Sequence, residues 1–214
     1  MQTYPKIPSP FKRFTEGPRR NRFDLDTWSS RELEILQDVP WAFTEKVDGT
    51  NIRVHWDGHK VAFGGRTDNA QIPATLVQRL IELFPEELFE QKFGADPVTL
   101  FGEGYGAGIQ KNGGRYKADG VDFILFDVLI EQWWLRRPSI EEVASGFNIE
   151  TVPQRLVDAT LVDAIERVRD GMTSSWALHE SFQVEGLVGV PECGLLTRGG
   201  ERIMVKIKTE DFRH

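Results

Sequence analysis

Residues 41–56 read Trp-Ala-Phe-Thr-Glu-Lys-Val-Asp-Gly-Thr-Asn-Ile-Arg-Val-His-Trp. Two short runs, Trp41 to Lys46 and Asn51 to Trp56, are rich in aromatic and β-branched residues, which suit a pleated surface. Val-Asp-Gly-Thr lies between them, and Asp-Gly is favourable turn chemistry. The pattern predicts a hairpin-like pair of strands. Lys46 ends the first run among apolar neighbours, where its amine would enter a cleft rather than bulk water. A lysine amine is ordinarily protonated at neutral pH, with a pKa of about 10.4. Desolvation or a nearby cation favours the neutral, nucleophilic form. Taken alone, Lys-x-Asp-Gly is a weak motif, because three fixed positions recur by chance.

Outward from this stretch the chain alternates strand and helix signals. A turn at Asp57-Gly58 leads to a strand around Val61-Ala62-Phe63. Pro73 opens a helix on which Leu76, Val77, Leu80, Ile81 and Phe84 recur at helical spacing. Val98 to Phe101 reads as a strand running into Gly102-Glu103-Gly104. Val121 to Ile130 is nearly continuous in Phe, Ile and Val, as a buried strand would be. Ser139 with Glu142 resembles a capping box for a short helix ending near Gly146. Thr160 with Asp163 starts another, which presents Leu161, Ile165 and Val168 on one face. Val184 to Val190 and Arg202 to Lys208 return to strand. Residues 1–30, rich in proline and charge, read as an irregular N-terminal lead-in to one domain over 31–214. The fold class is therefore α+β with mostly antiparallel pairing.

The 214 residues suffice to bury a core without disulfide or metal staples. The composition is 40% hydrophobic and 28% charged, that of a soluble globular protein. No apolar stretch approaches the roughly 20 residues of a membrane span. The start lacks the basic-then-apolar order of a secretory signal. Cys193 is the only cysteine, so no internal disulfide forms and a reducing, intracellular setting is expected. The formal charge of −7 does not favour nucleic acid in general, yet the cations are clustered. Lys12, Arg13, Arg19, Arg20 and Arg22 crowd one N-terminal stretch with only Glu16 against them. Such a stripe can follow a phosphate backbone, or can simply be a solvated surface. Lys111 and Arg115 lie in a glycine-rich segment, residues 104–116, with Lys117 just after it; the segment reads either as an amide nest for phosphate or as a mobile loop. The four histidines show no metal-ligand spacing.

Six segments, in order, give Lys46 its meaning. They are Glu45-Lys46-Val47-Asp48-Gly49-Thr50-Asn51, Phe63-Gly64-Gly65-Arg66-Thr67 and Phe101-Gly102-Glu103-Gly104. Phe123-Ile124-Leu125-Phe126-Asp127-Val128, Val184-Glu185-Gly186-Leu187-Val188 and Met204-Val205-Lys206-Ile207-Lys208 follow. With them the sequence resembles the covalent nucleotidyltransferases, and within these the ATP-dependent RNA ligases, over about residues 41–211. The resemblance implies a nucleotidyltransferase domain of the ATP-grasp-like ligase adenylation type, with mostly antiparallel sheets flanking an ATP cleft. It implies ATP and Mg2+ or Mn2+ as cofactors, and RNA, before DNA, as the nucleic-acid partner. Asp48 departs from the histidine frequent in the RNA-ligase branch and matches DNA ligases and capping enzymes, which leaves the nucleic-acid type open.

The resemblance also distributes roles. Lys46 becomes the lysyl-AMP. Arg66, Lys206 and Lys208 are the phosphate cations; the two lysines, at i and i+2, share one strand face. Glu103 is expected at the ribose hydroxyls and, with Glu185, at the divalent metal; Glu185 is alternatively expected to organise the 3′-hydroxyl. Phe126, which on sequence alone reads as core, is expected to stack on adenine. Glu45 is expected at the adenine edge, and Asn51 and Arg53 at the nucleic acid. Lys46, Lys206, Lys208 and Glu185 form the expected catalytic set. The chain reads as a catalytic domain without a C-terminal OB domain, monomeric and cytoplasmic, of bacterial or phage type, with substrate grip from the core, the N-terminal stretch or a protein partner. The rival readings are a stand-alone adenylyltransferase, a DNA ligase-like enzyme, a guanylyltransferase and a non-catalytic nucleic-acid-binding module.

Overall fold

Trp41–Lys46 becomes a strand, but its hydrogen-bonding partners lie far along the chain. In the computed structural model, which describes residues 1–213, the elements run in the following order. β1 (Phe11–Arg13), β2 (Phe23–Trp28), α1 (Arg31–Ile35), β3 (Trp41–Lys46), β4 (Thr50–Trp56) and β5 (Val61–Gly64) come first. α2 (Ala74–Leu83), α3 (Glu86–Phe93), β6 (Val98–Gly106), β7 (Val121–Ile130), β8 (Trp133–Trp134) and α4 (Arg137–Gly146) follow. β9 (Glu150–Thr151), β10 (Gln154–Ala159), α5 (Leu161–Arg169), β11 (Gly186–Pro191) and β12 (Val205–Lys208) complete the chain. The contacts divide these elements between two units: unit I comprises Met1–Pro5 and Asp48–Val152, and unit II comprises Lys6–Val47 with the chain from Pro153 onward.

Unit II is built on the antiparallel sheet β10-β3-β11-β12. β3 alternates buried and half-buried residues, so Trp41, Phe43 and Glu45 face inward while Ala42, Thr44 and Lys46 face the other way. Trp41 and Phe43 join Leu187, Val205 and Ile207 in a core closed by Leu161, Ala164, Ile165 and Val168 of α5. The helix start expected at Thr160 with Asp163 is where α5 begins, and it is a capping box, each side chain reaching the other's backbone. β1 and β2 form a two-stranded ribbon held by aromatic contacts of Phe11 with Phe23 and Trp28, and of Phe23 with Phe212.

Unit I is built on the sheet β5-β4-β6-β7-β8, antiparallel throughout, with β9 added parallel to β7. Ile52, Val54 and Trp56 of β4 pack with Leu100, Phe123 and the helix residues Leu76, Leu80, Phe84 and Phe89. The opposite face of β4 carries Asn51 and Arg53, whose direct cross-strand partners on β6 are Glu103 and Phe101. Arg53 is 0% exposed. Its Nε donates to the carbonyl of Gly65 at 2.6 Å, its Nη1 to those of Met1 and Gln2 at 3.2 Å each, and its Nη2 to Asp68 at 2.9 Å. The planar fork thus ties the extreme N-terminus and the β5 turn to β4.

Several sequence expectations are corrected here. β3 and β4 are not a hairpin: they belong to different sheets and different units. The Val-Asp-Gly-Thr run is where the chain crosses from unit II to unit I, since turn chemistry specifies a local bend but not which long-range ladder each strand joins. Residues 1–30 are not an irregular lead-in, because they contribute β1, β2 and the strap Met1–Pro5 that Arg53 holds. Nor do residues 31–214 form one unit. Ser139 lies inside α4 rather than capping it; Arg136 is the N-cap, and Pro138 stands in the first turn, where its missing N–H costs nothing. Ile81 is 52% exposed, so the apolar stripe of α2 is narrower than its spacing suggested. α3 and β10 had no clear sequence signal.

The Arg53 fork yields a direct expectation. Replacing it with methionine keeps the stem but leaves the Gly65, Met1 and Gln2 carbonyls without their donor. Arg53→Met is expected to destabilise the protein by about 2–3 kcal/mol, the scale of lost hydrogen bonds from a charged group together with one orphaned buried carbonyl, that of Gly65. Urea unfolding measures it; a loss under about 1 kcal/mol would show that the fork is not what holds the strap.

Candidate active site

β11 lies between β3 and β12 and fixes the register of both. Gly186 is directly opposite Lys46 on one side and Lys208 on the other. One step along, Val188 is opposite Thr44 and Lys206. Directly opposed residues share a face, so Lys46, Lys206 and Lys208 lie on one side of the sheet, turned away from the aromatic core. Strand spacing of about 4.8 Å puts the Lys46 and Lys208 backbones about 10 Å apart. No side chain stands between them, because the middle position is glycine. A Cβ at Gly186 would also collide with the backbone carbonyl of Ile207.

Glu185, immediately before β11, bridges this gap. Its Oε2 accepts from Lys46 Nζ at 2.7 Å, and its Oε1 is 3.2 Å from Lys208 Nζ. Lys208 also donates to Glu210 at 2.9 Å. The Glu185 backbone is itself anchored, since its carbonyl accepts from Thr209 N at 2.9 Å. The result is an alternating chain of charges, Lys46, Glu185, Lys208, Glu210. Burial pulls the Lys208 amine downward, but the hydrogen bond to Glu210 and the charge and hydrogen bond of Glu185 outweigh it, leaving the group above the ordinary lysine range. Glu210 is held below the ordinary carboxylate range chiefly by its hydrogen bond from Lys208. Lys206 N donates to the Pro8 carbonyl at 2.9 Å, so the segment ahead of β1 borders β12.

Glu45 neighbours Lys46 in sequence but points through the sheet the other way. It is 1% exposed, and both of its oxygens are engaged. Oε2 accepts from Arg155 Nη1 at 2.6 Å and from Ser175 N at 3.0 Å; Oε1 accepts from the Ser174 hydroxyl. Arg155 also donates to the Thr173 carbonyl at 2.9 Å. Sequence reasoning missed Arg155, Ser174 and Ser175. Their link to Glu45 spans more than a hundred residues and leaves no periodic trace.

The remaining expected residues lie in unit I. Asn51 and Glu103 are direct cross-strand partners, both half-buried. The Oδ1 atom of Asn51 is buried without a hydrogen-bond partner. Gly49 lies so close to β6 that an added Cβ would be 2.8 Å from Glu103 Cγ and would collide with the Gly104 carbonyl. The Asp48 backbone N–H donates to the Tyr116 hydroxyl at 3.2 Å, and its carboxylate accepts from Asn112 at 3.2 Å. The glycine-rich segment after β6 is therefore a folded clamp on Asp48, with Ile109 and Tyr116 buried. Phe126 occupies a break in register where Phe101 faces Asp127 and Gly102 faces Leu125. Such bulges re-aim a side chain. Its ring is half-buried and meets Tyr4 edge-on at 5.0 Å. Arg66 is exposed in the turn after β5. Arg53, expected at nucleic acid, instead has its guanidinium engaged inside the unit. Among the described residues no cluster of three or more acidic, histidine or cysteine side chains forms a metal cage, and no helix is long and apolar enough to cross a membrane. A surface concavity of about 700 Å³ beside β2 and α1 contains none of these expected residues.

Comparison with known proteins adds the following. The family model described as RNA ligase matches residues 39–208. Among solved structures, a mutant of Naegleria gruberi RNA ligase with ATP and Mn is 20% identical with a TM-score of 0.65, over 85% of this chain and 52% of that one. The same organism's RNA ligase with pyrophosphate is 21% identical with a TM-score of 0.64, over 85% and 52%. A mutant with AMP and Mn is 19% identical with a TM-score of 0.64, over 85% and 53%. At such identities the likeness is one of fold, and the chain spans about half the length of those ligases. No curated protein matches it.

The Glu45 cluster can be tested by subtraction. Arg155→Met leaves a buried carboxylate without its cation, at an expected cost of about 3–5 kcal/mol. Adding Glu45→Leu removes that charge too, so the double variant should unfold at higher urea than Arg155→Met. A double variant no more stable than the single would show that the pair is not coupled.

Proposed function

This chain belongs to the RNA ligase family, and from that premise we propose that it takes AMP from ATP onto Lys46 and uses it to join nucleic-acid ends. The observation that carries this reading is Lys46 on one sheet face with Lys206 and Lys208, clasped by Glu185 at 2.7 Å. A three-lysine face suits a polyphosphate, whose negative charge must be neutralised before an amine can approach phosphorus. Glu185 gives Lys46 a defined resting position. Release of that contact and loss of a proton free the Nζ lone pair to attack the α-phosphate. A P–N bond forms, the bond to the pyrophosphate leaving group breaks, and Lys206 and Lys208 offset the charge on the phosphates. The 5′-phosphate of a nucleic-acid end then displaces the lysine, and a 3′-hydroxyl displaces AMP.

The acidic residues suit magnesium or manganese arriving with the nucleotide rather than a resident metal. Such ions commonly keep several waters and need only one or two carboxylates. Glu185 is the residue of the lysine face assigned to that ion, which would supply further charge neutralisation at the phosphates. In unit I we assign Glu103 to the ribose, Phe126 to the adenine face, Arg66 to the phosphates and Asn51, with its orphaned oxygen, to the nucleic-acid end. Glu45 is assigned a positioning role, since Arg155 and two serines hold its carboxylate and thereby the end of β3 that carries Lys46. Arg53 is left out of the nucleic-acid set. RNA is the expected substrate, in keeping with the family.

Incubation with ATP labelled at the α-phosphate, with magnesium or manganese, is expected to label the protein covalently. Lys46→Ala should reduce labelling to background, and Lys206→Ala should slow it about 100-fold, the usual scale for removing one charge-stabilising group. Matched RNA and DNA nicks carrying a 5′-phosphate then distinguish a joining enzyme from one that only adenylylates itself. A wild-type protein that stays unlabelled with both metals, from neutral to alkaline pH, would refute the enzymatic reading.

A further inference from the structure

We propose that the β1–β2 ribbon is a nucleic-acid-binding arm, with Lys12, Arg19, Arg20 and Arg22 gripping the phosphate backbone. Residues 11–22 carry five cations against the single acid Glu16, a formal +4 in a chain whose total is −7. The rest of the protein is thus formally −11, Asp24 and Asp26 of β2 included, so this local reversal of sign concentrates attraction for a polyanion on β1 and the loop that follows it. Lys12, Arg13, Arg19, Arg20 and Arg22 are all exposed.

The arm is folded, not a loose tail. Phe14 N donates to the Arg22 carbonyl at 3.0 Å and Asn21 N to the Phe14 carbonyl at 2.9 Å, closing the loop. Gly17 and Asn21 take the left-handed backbone, with φ of 76° and 69°, that so tight a loop requires. Arg19 lies over the Phe14 ring at 4.4 Å, and the Phe11, Phe23, Trp28 and Phe212 rings secure the base. Arg13 is the internal pin, paired with Asp211 at 2.6 Å and stacked over Phe23 at 4.4 Å. Holding the cations on a preformed element lowers the ordering entropy that binding must overcome.

Its place in the fold supplies the second argument. Pro8 accepts from the Lys206 backbone, and Arg13 pairs with Asp211, three residues past Lys208. The arm is therefore fastened on its β1 side, through Pro8 to the strand that bears two of the three lysines of the candidate site and through Arg13 to the turn just past that strand. A strand whose 5′-phosphate reached that face would find further cations for its neighbouring phosphates on the adjoining ribbon. This role rests on the joining activity proposed above for its biological meaning, but binding and self-adenylylation are measured separately.

The test uses the triple variant Arg19→Ala/Arg20→Ala/Arg22→Ala and its lysine counterpart, with binding to a nicked RNA duplex and the matched DNA duplex followed across salt concentration. The triple alanine variant is expected to bind at least tenfold more weakly at low salt and to lower the slope of log K against log salt by about 2, because each phosphate contact contributes about 0.7–0.9. It should still label with ATP. The triple lysine variant should bind like wild type, which separates lost charge from lost fold. RNA alone, or both duplexes, showing the effect supports the arm, and the comparison tells which nucleic acid it prefers. Unchanged affinity and salt slope in the alanine variant, or no duplex binding by wild type at low salt, would overturn it. Absent labelling with binding intact would refute the enzymatic reading and leave the arm standing.

Discussion

The pairing of β11 with both β3 and β12 is the constraint on which the candidate site depends. That register puts Gly186 between Lys46 and Lys208 and brings Lys206 to the same face. Three lysine side chains gathered without compensation would repel one another. Glu185 meets this by pairing with two of them, and Glu210 takes a further contact with Lys208. Glycine at position 186 leaves the row between the lysines open and lets β11 sit close to the Ile207 carbonyl. The charge pairs are partly exposed, so they define geometry more than they add stability. The buried aromatic side of the same sheet supplies the stability.

The two faces of β3 divide the work at residue-by-residue intervals. Lys46 looks toward the lysine face, while Glu45 looks into the interior and meets Arg155 and two serines. A buried carboxylate so fully bonded fixes where the last turn of backbone before Lys46 lies. In unit I, Gly49 against β6 and Asp48 against Tyr116 and Asn112 do the same for the residues just after it. The motif is thus clamped on both sides of its lysine by groups that are not part of the motif.

Much of this was legible in the sequence, for identifiable reasons. Strand period along Arg202–Lys208 showed that Lys206 and Lys208 share a face, and Thr160 with Asp163 announced the start of α5. What was lost was long-range. Val-Asp-Gly-Thr looks like a hairpin turn whether the next strand folds back or enters another sheet, and here it enters another sheet. Arg155 and Ser174 have no periodic signature, because a polar cluster around one carboxylate depends only on the fold. Arg53 looked like a surface cation for nucleic acid, but five potential donors also suit it to tying backbone carbonyls of separate segments together. The N-terminal prolines and charges suggested irregularity and concealed the aromatic base of the β1–β2 ribbon, whose rings are close in space but scattered in sequence.

The central claim is that the Glu185-clasped amine of Lys46, and no other on that face, receives the nucleotide. Peptide mapping by mass spectrometry after incubation with ATP and manganese tests it most directly. The account predicts one AMP group on the peptide containing Lys46, with the peptides bearing Lys206 and Lys208 unmodified. AMP on either of those lysines while Lys46 remains bare would contradict it.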